Sequence, residues 1–276
     1  MEPTIYFVIP CYNEEAVLPE TTRRLAEKLQ AMQSAGLIGK DSRVLYVDDG
    51  SKDKTWQLIS QFHQEYPWVE GVKLAHNRGH QNALLAGLMT ARGRCDMSIS
   101  MDADLQDDMD AMDRFIEKYR EGCDVVYGVR NRRDTDTAFK RGTALMFYRL
   151  MKALGVDITY NHADYRLMSA RALEALSQFG EVNLFLRGLA PLVGFQSDVV
   201  TYDRSERFAG ESKYPFKKML AFAIDGITSF SVKPLRLITT VGVIIFMISL
   251  LMLLYTLVSW IAGHAVLGWT STLASI

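Results

Sequence analysis

The chain has 276 residues, enough for one domain of ordinary size and an appendage. Its 32 acidic and 31 basic residues nearly cancel, so nothing pulls it as a whole toward nucleic acid, and no acidic or basic tail is present. Cys11, Cys95 and Cys123 are odd in number and widely spaced with no CxxC pair, which argues against a disulfide framework or a zinc site and for a reducing, cytosolic setting.

The opening MEPTIYFVIP has no basic n-region and too short an apolar run for a signal peptide. Residues 5–10 read as a buried strand, and 17–32 places Leu18, Leu25, Leu29 and Met32 at helical spacing. The alternation continues: strand 43–49, helix 55–62, strand 71–75, helix 81–91, strand 97–101, helix 112–119 and a fifth strand over 124–130. This pattern predicts an α/β domain with a mostly parallel sheet and helices on both faces. Ligands of such sheets bind outside the carboxyl ends of the strands.

Polar residues gather at those ends. The first strand runs into Pro10-Cys11-Tyr12-Asn13-Glu14, the second into Asp48-Asp49-Gly50-Ser51 and the third into His76-Asn77-Arg78-Gly79. The fourth meets Asp102-Ala103-Asp104, and the fifth finishes in Gly128-Val129-Arg130. Any one tip reads equally well as a polar loop capping a helix, as with Ser51 or Asp53. Five converging on one edge point to a ligand site.

No GxxxxGK[ST] loop occurs and no GxGxxG follows a strand, so phosphate must be neutralised by other means. In Asp-Ala-Asp at a strand end the middle residue turns away. The flanking carboxylates can then share a hard cation, Mg²⁺ or Mn²⁺, whose open positions accept diphosphate oxygens. Asp134-Thr135-Asp136 has the same spacing but follows Arg132-Arg133 without an apolar strand and reads as loop. His76, His80 and His162 lack metal-ligand spacing and read as hydrogen-bonded or exposed.

Toward the C-terminus the character changes. Over 137–154, Phe139, Met146, Phe147, Leu150 and Leu154 share one helical face, with Lys140, Arg141, Arg149 and Lys152 beside or opposite it. This is either an interfacial helix with its apolar face in lipid or a core-packed helix with solvated charges. Residues 214–234 repeat the theme. Residues 237–263 contain no charge, and ~20 such residues suffice to cross a hydrocarbon core of ~30 Å, so a transmembrane helix is expected over 235–263. Lys217, Lys218, Lys233 and Arg236 precede it and Trp260 lies near its far end, which places the N-terminal mass in the cytoplasm. A further apolar run over 265–276 reads as the start of a second membrane helix.

VIPCYNEE (8–15), VDDGSKDKT (47–55), NRGHQNALLAG (77–87), DADLQD (102–107), DYRLMS (164–169) and RFAGESKY (207–214) together resemble the family 2 glycosyltransferases of GT-A fold. More narrowly they resemble the polyprenyl-phosphate group of dolichol-phosphate mannose synthase and the bactoprenol glucosyltransferases. The likeness runs from Thr4 through the membrane helix, with a catalytic domain over 1–213. It implies that Pro10, Tyr12, Glu14, Val47 and Asp49 form the nucleotide pocket, while Asp102, Ala103, Asp104 and Gln106 meet the diphosphate and the Mg²⁺ or Mn²⁺. Asp102, Asp104 and Gln106 would be the metal ligands. Arg130 and Arg207 would lie near the phosphates, joined by Ser212 and Lys213, and Asp164 near the acceptor. Many relatives have Pro-Pro where Asp108-Met109 stand here, which leaves the start of the next helix open.

The implied reaction is transfer from a nucleotide-diphosphate sugar, expected by bacterial analogy to be a UDP-sugar, to a polyprenyl phosphate. Such a single displacement inverts the anomeric carbon. A lipid monophosphate with a second pKa near ~6 is largely dianionic at neutral pH and hardly needs a base. Asp164 is then an orienting group or a proton acceptor; as plain structure it would cap the segment after it. A processive polysaccharide synthase would call for a QxxRW motif, which is absent, and a non-catalytic scaffold for loss of Asp102, Asp104 or the 207–214 loop. Some relatives form tetramers, so a homo-oligomer is a further expectation.

Overall fold

The computed structural model describes residues 2–131, 162–180, 186–203 and 233–263. From the N-terminus strands and helices alternate: β1 (Ile5–Cys11), α1 (Leu18–Ser34), β2 (Arg43–Asp48), α2 (Thr55–Glu65), β3 (Val69–Lys73), α3 (His80–Ala91), β4 (Met97–Ser100) and α4 (Ala111–Arg120). There follow β5 (Val125–Arg130), β6 (His162–Ser169), α5 (Ala170–Leu176), α6 (Leu186–Leu192), β7 (Ser197–Tyr202) and α7 (Lys233–Ile261).

Every residue of β1 is buried, as an inner strand of a two-face-covered sheet requires. Pro10 fits there because pairing with β4 ends at Val8, so its missing N–H interrupts no ladder on that side. In α1 the expected Leu18, Leu25, Leu29 and Met32 face the core, and Pro19 occupies the first turn, where its missing donor is harmless. α3 lies close on the sheet at Gly87. A Cβ there would come within 2.3 Å of Val8 Cγ1 and 2.8 Å of Val47 Cγ2. That close approach directs the N-terminal end of α3 to the edge where β1 and β2 end.

The seven strands form one sheet in the order β3-β2-β1-β4-β6-β5-β7. All neighbours are parallel except β6, which runs antiparallel to both β4 and β5. The mostly parallel sheet is as expected, but the fifth strand does not sit beside the fourth, because β6 is inserted between them. The sequence reading did not anticipate β6 or β7. Since β6 is reversed, its beginning shares an edge with the C-terminal ends of the other six strands.

The chain divides into two units, Met1–Ser229 and Phe230–Ile276. In the second, Ile238–Ile261 is a 24-residue stretch of mean hydropathy 2.7. At 1.5 Å per residue that is about 36 Å, more than a hydrocarbon core of ~30 Å. It is the one helix among the described residues long and apolar enough to cross a membrane. The amphipathic segment 137–154, residues 214–232 and the run 265–276 lie outside the described residues.

Candidate active site

The tips of β1 and β2 are knitted together by side chains that bind backbone. Asn13, at φ 53°, donates its N–H to Ser51 Oγ (2.9 Å) and accepts at Oδ1 from Lys52 N (2.8 Å). Glu14 N donates to Thr55 Oγ1 at 2.8 Å, and Asp49 N to Cys11 O at 2.8 Å. Gly50 must be glycine: its φ is +67°, and a Cβ would lie 2.6 Å from Asn77 N. Within this frame Pro10 pairs with Val47 in the β1–β2 register, Val47 is buried, and Tyr12 and Glu14 stand partly accessible on the loop after β1.

Asp49 is more committed than its expected nucleotide role implies. Its Oδ1 accepts from Arg78 N at 2.6 Å and its Oδ2 from Gly79 N at 2.9 Å, so this buried carboxylate organises the turn into α3. Gly79, at φ 87°, makes that turn possible. Burial raises the Asp49 pKa, partly offset by the two backbone N–H bonds.

Past β4 the chain enters the acidic stretch. The strand ends at Ser100 and residues 103–105 form a turn, with Leu105 at φ 58°, so the alternation argument for Asp102 and Asp104 does not rest on strand pleat. Ala103 is buried and its carbonyl accepts from Thr21 Oγ1 of α1 at 2.8 Å. Asp104 is 9% exposed and its Oδ1 accepts from Gln106 N at 3.2 Å. The Asp102 side chain retains 37% accessibility. Desolvation, then the charges of Asp107, Asp164 and Asp104, push its carboxyl up to about 6 against the opposing pull of His80. Beyond Asp108-Met109 the turn closes by Asp110 N to Asp108 Oδ1 (2.9 Å), and α4 starts at Ala111 without Pro-Pro.

Asp164 lies opposite this stretch. Ser100, the last residue of β4, pairs with Arg166 in the antiparallel β4–β6 register and its Oγ donates to Asp164 O at 2.5 Å, so Asp164 sits where β4 gives way to the acidic turn. Asp164 is a strand residue, not a helix cap; the cap of α5 is Ser169, whose Oγ accepts from Ala172 N. Its Oδ1 accepts from Arg166 Nη2 at 2.9 Å and its Oδ2 from Gln81 Nε2 at 3.1 Å. His80 Nε2 lies 3.2 Å from Asp164 Oδ2 and 3.7 Å from Asp102 Oδ1, which places the imidazole between the two carboxylates, hydrogen-bonded as expected.

Arg130, at the end of β5, directs Nε to Tyr202 Oη at 3.3 Å and Nη2 to Asp107 Oδ1 at 3.4 Å, and Tyr202 donates to the same oxygen at 2.5 Å. The other oxygen, Asp107 Oδ2, is buried and has no partner among the described residues. Burial alone lowers the Arg130 pKa, but Tyr202 and Asp107 outweigh it and hold the guanidinium charged. Its exposed part faces the same edge as Asp102, whose charge also acts on it. Arg207, Ser212 and Lys213 lie outside the described residues.

Among the described residues no three His, Cys, Asp or Glu side chains are grouped as a metal cage. The donor set still suits Mg²⁺ or Mn²⁺, which take one or two carboxylates and complete their shell with water and phosphate oxygens. Burial first, and then the neighbouring carboxylates, raise Asp102, and a cation between the carboxylates would offset both.

His80, Gln81 and Arg166 as partners of Asp164, and Asp107 and Tyr202 as partners of Arg130, were not singled out as site residues from the sequence. One signal was present: Asp164 and Arg166 are spaced two apart, which on a strand puts both on one face.

Residues 6–177 match the model of the glycosyl transferase family 2. The chain is 52% identical over 275 residues to the uncharacterized glycosyltransferase YkoT of Bacillus subtilis (strain 168), covering 100% of this chain and 82% of that one. It is 38% identical over 277 residues to the bactoprenol glucosyl transferase of Shigella phage SfX, covering 99% and 87%. Glucosyl-3-phosphoglycerate synthase from Mycobacterium tuberculosis, solved with Mn²⁺, uridine diphosphate and phosphoglyceric acid, superposes with a TM-score of 0.53 at 17% identity, over 82% of this chain and 77% of that one. By sequence along most of its length and by the GT-A fold of its sheet, this chain belongs to glycosyl transferase family 2.

Proposed function

We propose that the protein transfers a sugar from a nucleotide-diphosphate sugar, a UDP-sugar by bacterial analogy, to polyprenyl phosphate at the cytoplasmic face of the cell membrane, with inversion at the anomeric carbon. The observation that carries this reading is the gathering of Asp102 and Asp164 around His80, at 3.7 and 3.2 Å, with the charges of Asp104 and Arg130 close enough to act on Asp102. A lipid acceptor is supported by the apolar stretch Ile238–Ile261 and by the likeness to a bactoprenol glucosyl transferase along 99% of this chain.

In this reading the tips of β1 and β2 receive the nucleotide, with Pro10, Tyr12, Glu14 and Val47 around base and ribose and Asp49 holding the turn that frames them. Asp102, Asp104 and Gln106 would hold Mg²⁺ or Mn²⁺, which when bound supplies positive charge to the departing diphosphate. Arg130 adds a fixed guanidinium toward the phosphates, with Arg207, Ser212 and Lys213 assigned to the same role. The lipid phosphate oxygen attacks the anomeric carbon from the face opposite the leaving group; the new C–O bond forms as the bond to the diphosphate breaks, and the nucleoside diphosphate departs. Asp164 orients the acceptor side.

The test is a donor panel. Purified protein is incubated with labelled UDP- and GDP-sugars and undecaprenyl phosphate, with and without EDTA. Label in a chloroform-extractable product only when divalent metal is present is the expected result; label that stays aqueous with every donor overturns the reading.

A further inference from the structure

The hydrogen bonds around Asp164 close into a ring that passes through three separate elements. Arg166 Nη2 donates to Asp164 Oδ1 (2.9 Å) and Arg166 Nη1 to Leu186 O (3.0 Å). Leu186 N donates to Gln81 Oε1 (3.0 Å), and Gln81 Nε2 donates to Asp164 Oδ2 (3.1 Å). α3 contributes Gln81, β6 contributes Asp164 and Arg166, and α6 contributes the Leu186 backbone. The orientation of the Gln81 amide follows from its partners: swapping O and N would set oxygen against a carboxylate and nitrogen against an N–H.

Arg166 and Asp164 keep only 2% and 6% of their side chains accessible, so the pair is held out of water. A buried charge pair needs hydrogen-bond partners beyond the pair itself, and the ring supplies them to Arg166 Nη1 and Asp164 Oδ2 from distant parts of the chain. His80 adds a further contact on Asp164 Oδ2 at 3.2 Å. Both carboxylate oxygens therefore accept hydrogen bonds already, which fixes the group in position.

We propose that Gln81 and Arg166 are positioning residues for sugar transfer: the ring fixes the direction of the Asp164 carboxylate, which in turn orients the acceptor. This rests on the transferase reading above and names the residues that make its acceptor side work. Gln81 as nothing more than a cap on the first N–H of α6 is the competing account, and one substitution separates the two. In Gln81→Glu the side chain still accepts from Leu186 N but turns a second carboxylate oxygen against Asp164; Gln81→Leu keeps the bulk and loses both bonds.

The experiment is steady-state transfer to undecaprenyl phosphate at mildly alkaline pH, where an introduced glutamate is ionised, with melting measured on the same full-length preparations. Expected is a fall in kcat on the order of 10- to 100-fold for both variants, Gln81→Glu the lower, with the donor KM within about twofold of wild type. Gln81→Glu turning over like wild type overturns the proposal and leaves Gln81 a cap. Should Gln81→Glu fail to fold, Gln81→Leu decides alone: a folded variant with wild-type kcat overturns the proposal. Wild-type protein that moves no sugar to the lipid, yet releases nucleoside diphosphate to water, refutes the lipid-acceptor reading alone. The same variants are then compared on that hydrolysis with the same expected and overturning results.

Discussion

On the β1–β2 side of the sheet, Asn13, Asp49, Ser51, Asp53 and Thr55 bind mainly to backbone N–H groups. On the β6–β5–β7 side and in the acidic turn after β4, Asp164, Arg166, Asp107, Arg130, Tyr202 and His80 bind largely to one another. The first arrangement sets loop shape. The second keeps charges close together in a desolvated edge, where one added or removed charge is felt by every neighbour. Two parts of one sheet edge are thus built side by side from different kinds of hydrogen bond.

The contrast is broken most forcefully by replacing Asp104 with alanine. If the acidic turn is the reactive part, sugar transfer falls on the order of 10²- to 10³-fold with little change in melting; near-normal turnover would mean the crowding there is structural. On the other side the largest effect is steric. Gly87→Val forces a side chain into Val8 and Val47 and lowers unfolding stability by about 3 kcal/mol in urea titration.

Two hydroxyl deletions sharpen the comparison at closer range. Tyr202→Phe removes a donor from the buried Asp107 carboxylate, already one partner short among the described residues, and costs about 2 kcal/mol. Thr55→Val removes a bond to the Glu14 backbone and one to Asp53, and costs about 1 kcal/mol: Thr55 itself is buried, but the Asp53 carboxylate left behind is partly exposed and keeps its bonds from Thr55 N and Glu15 N. Equal losses at the two positions would erase the distinction.

The smallest effect is a pH dependence. The Asp102 carboxyl is raised in the folded protein, to about 6, above its ordinary unfolded value near ~3.9, so the folded state holds the proton more tightly. This contribution favours folding below about pH 4, is lost as pH rises toward 6, and stays lost above it. Asp49 acts in the same direction. Because the Asp102 side chain is 37% accessible, the loss is modest. In metal-free protein the stability of Asp102→Asn minus that of wild type should grow between pH 4 and 6 and then level off; a flat difference would show that the acidic turn is not strained by its own charge.

The strands and helices from β1 to β5 were legible to within a few residues, because most are buried apolar runs or helices with one apolar face, the edge strand β3 with only Val69 buried being the exception. β6 was not. His162, Asp164 and Arg166 interrupt its pattern, and charged residues in a central strand are paid for by partners that lie far away in sequence, such as Gln81 and Leu186. The same gap explains why Asp164 was open to being read as a cap, and why the partners of Arg130 went unseen: Tyr202 lies on a second unanticipated strand. Asp102 and Asp104 were legible as residues, but the turn that carries them was not, since a positive φ at Leu105 leaves no mark in the composition.

The backward run of β6 has one more consequence. An edge made only of strand endings carries its chemistry on connecting segments, whose geometry drifts whenever their length changes. Here one carboxylate is mounted on the lattice itself, at a height set by ladder rungs shared with β4. Neighbouring segments can therefore lengthen or shorten to admit a different donor without moving that anchor, whereas a one-residue slip between β4 and β6 would turn it to the opposite face.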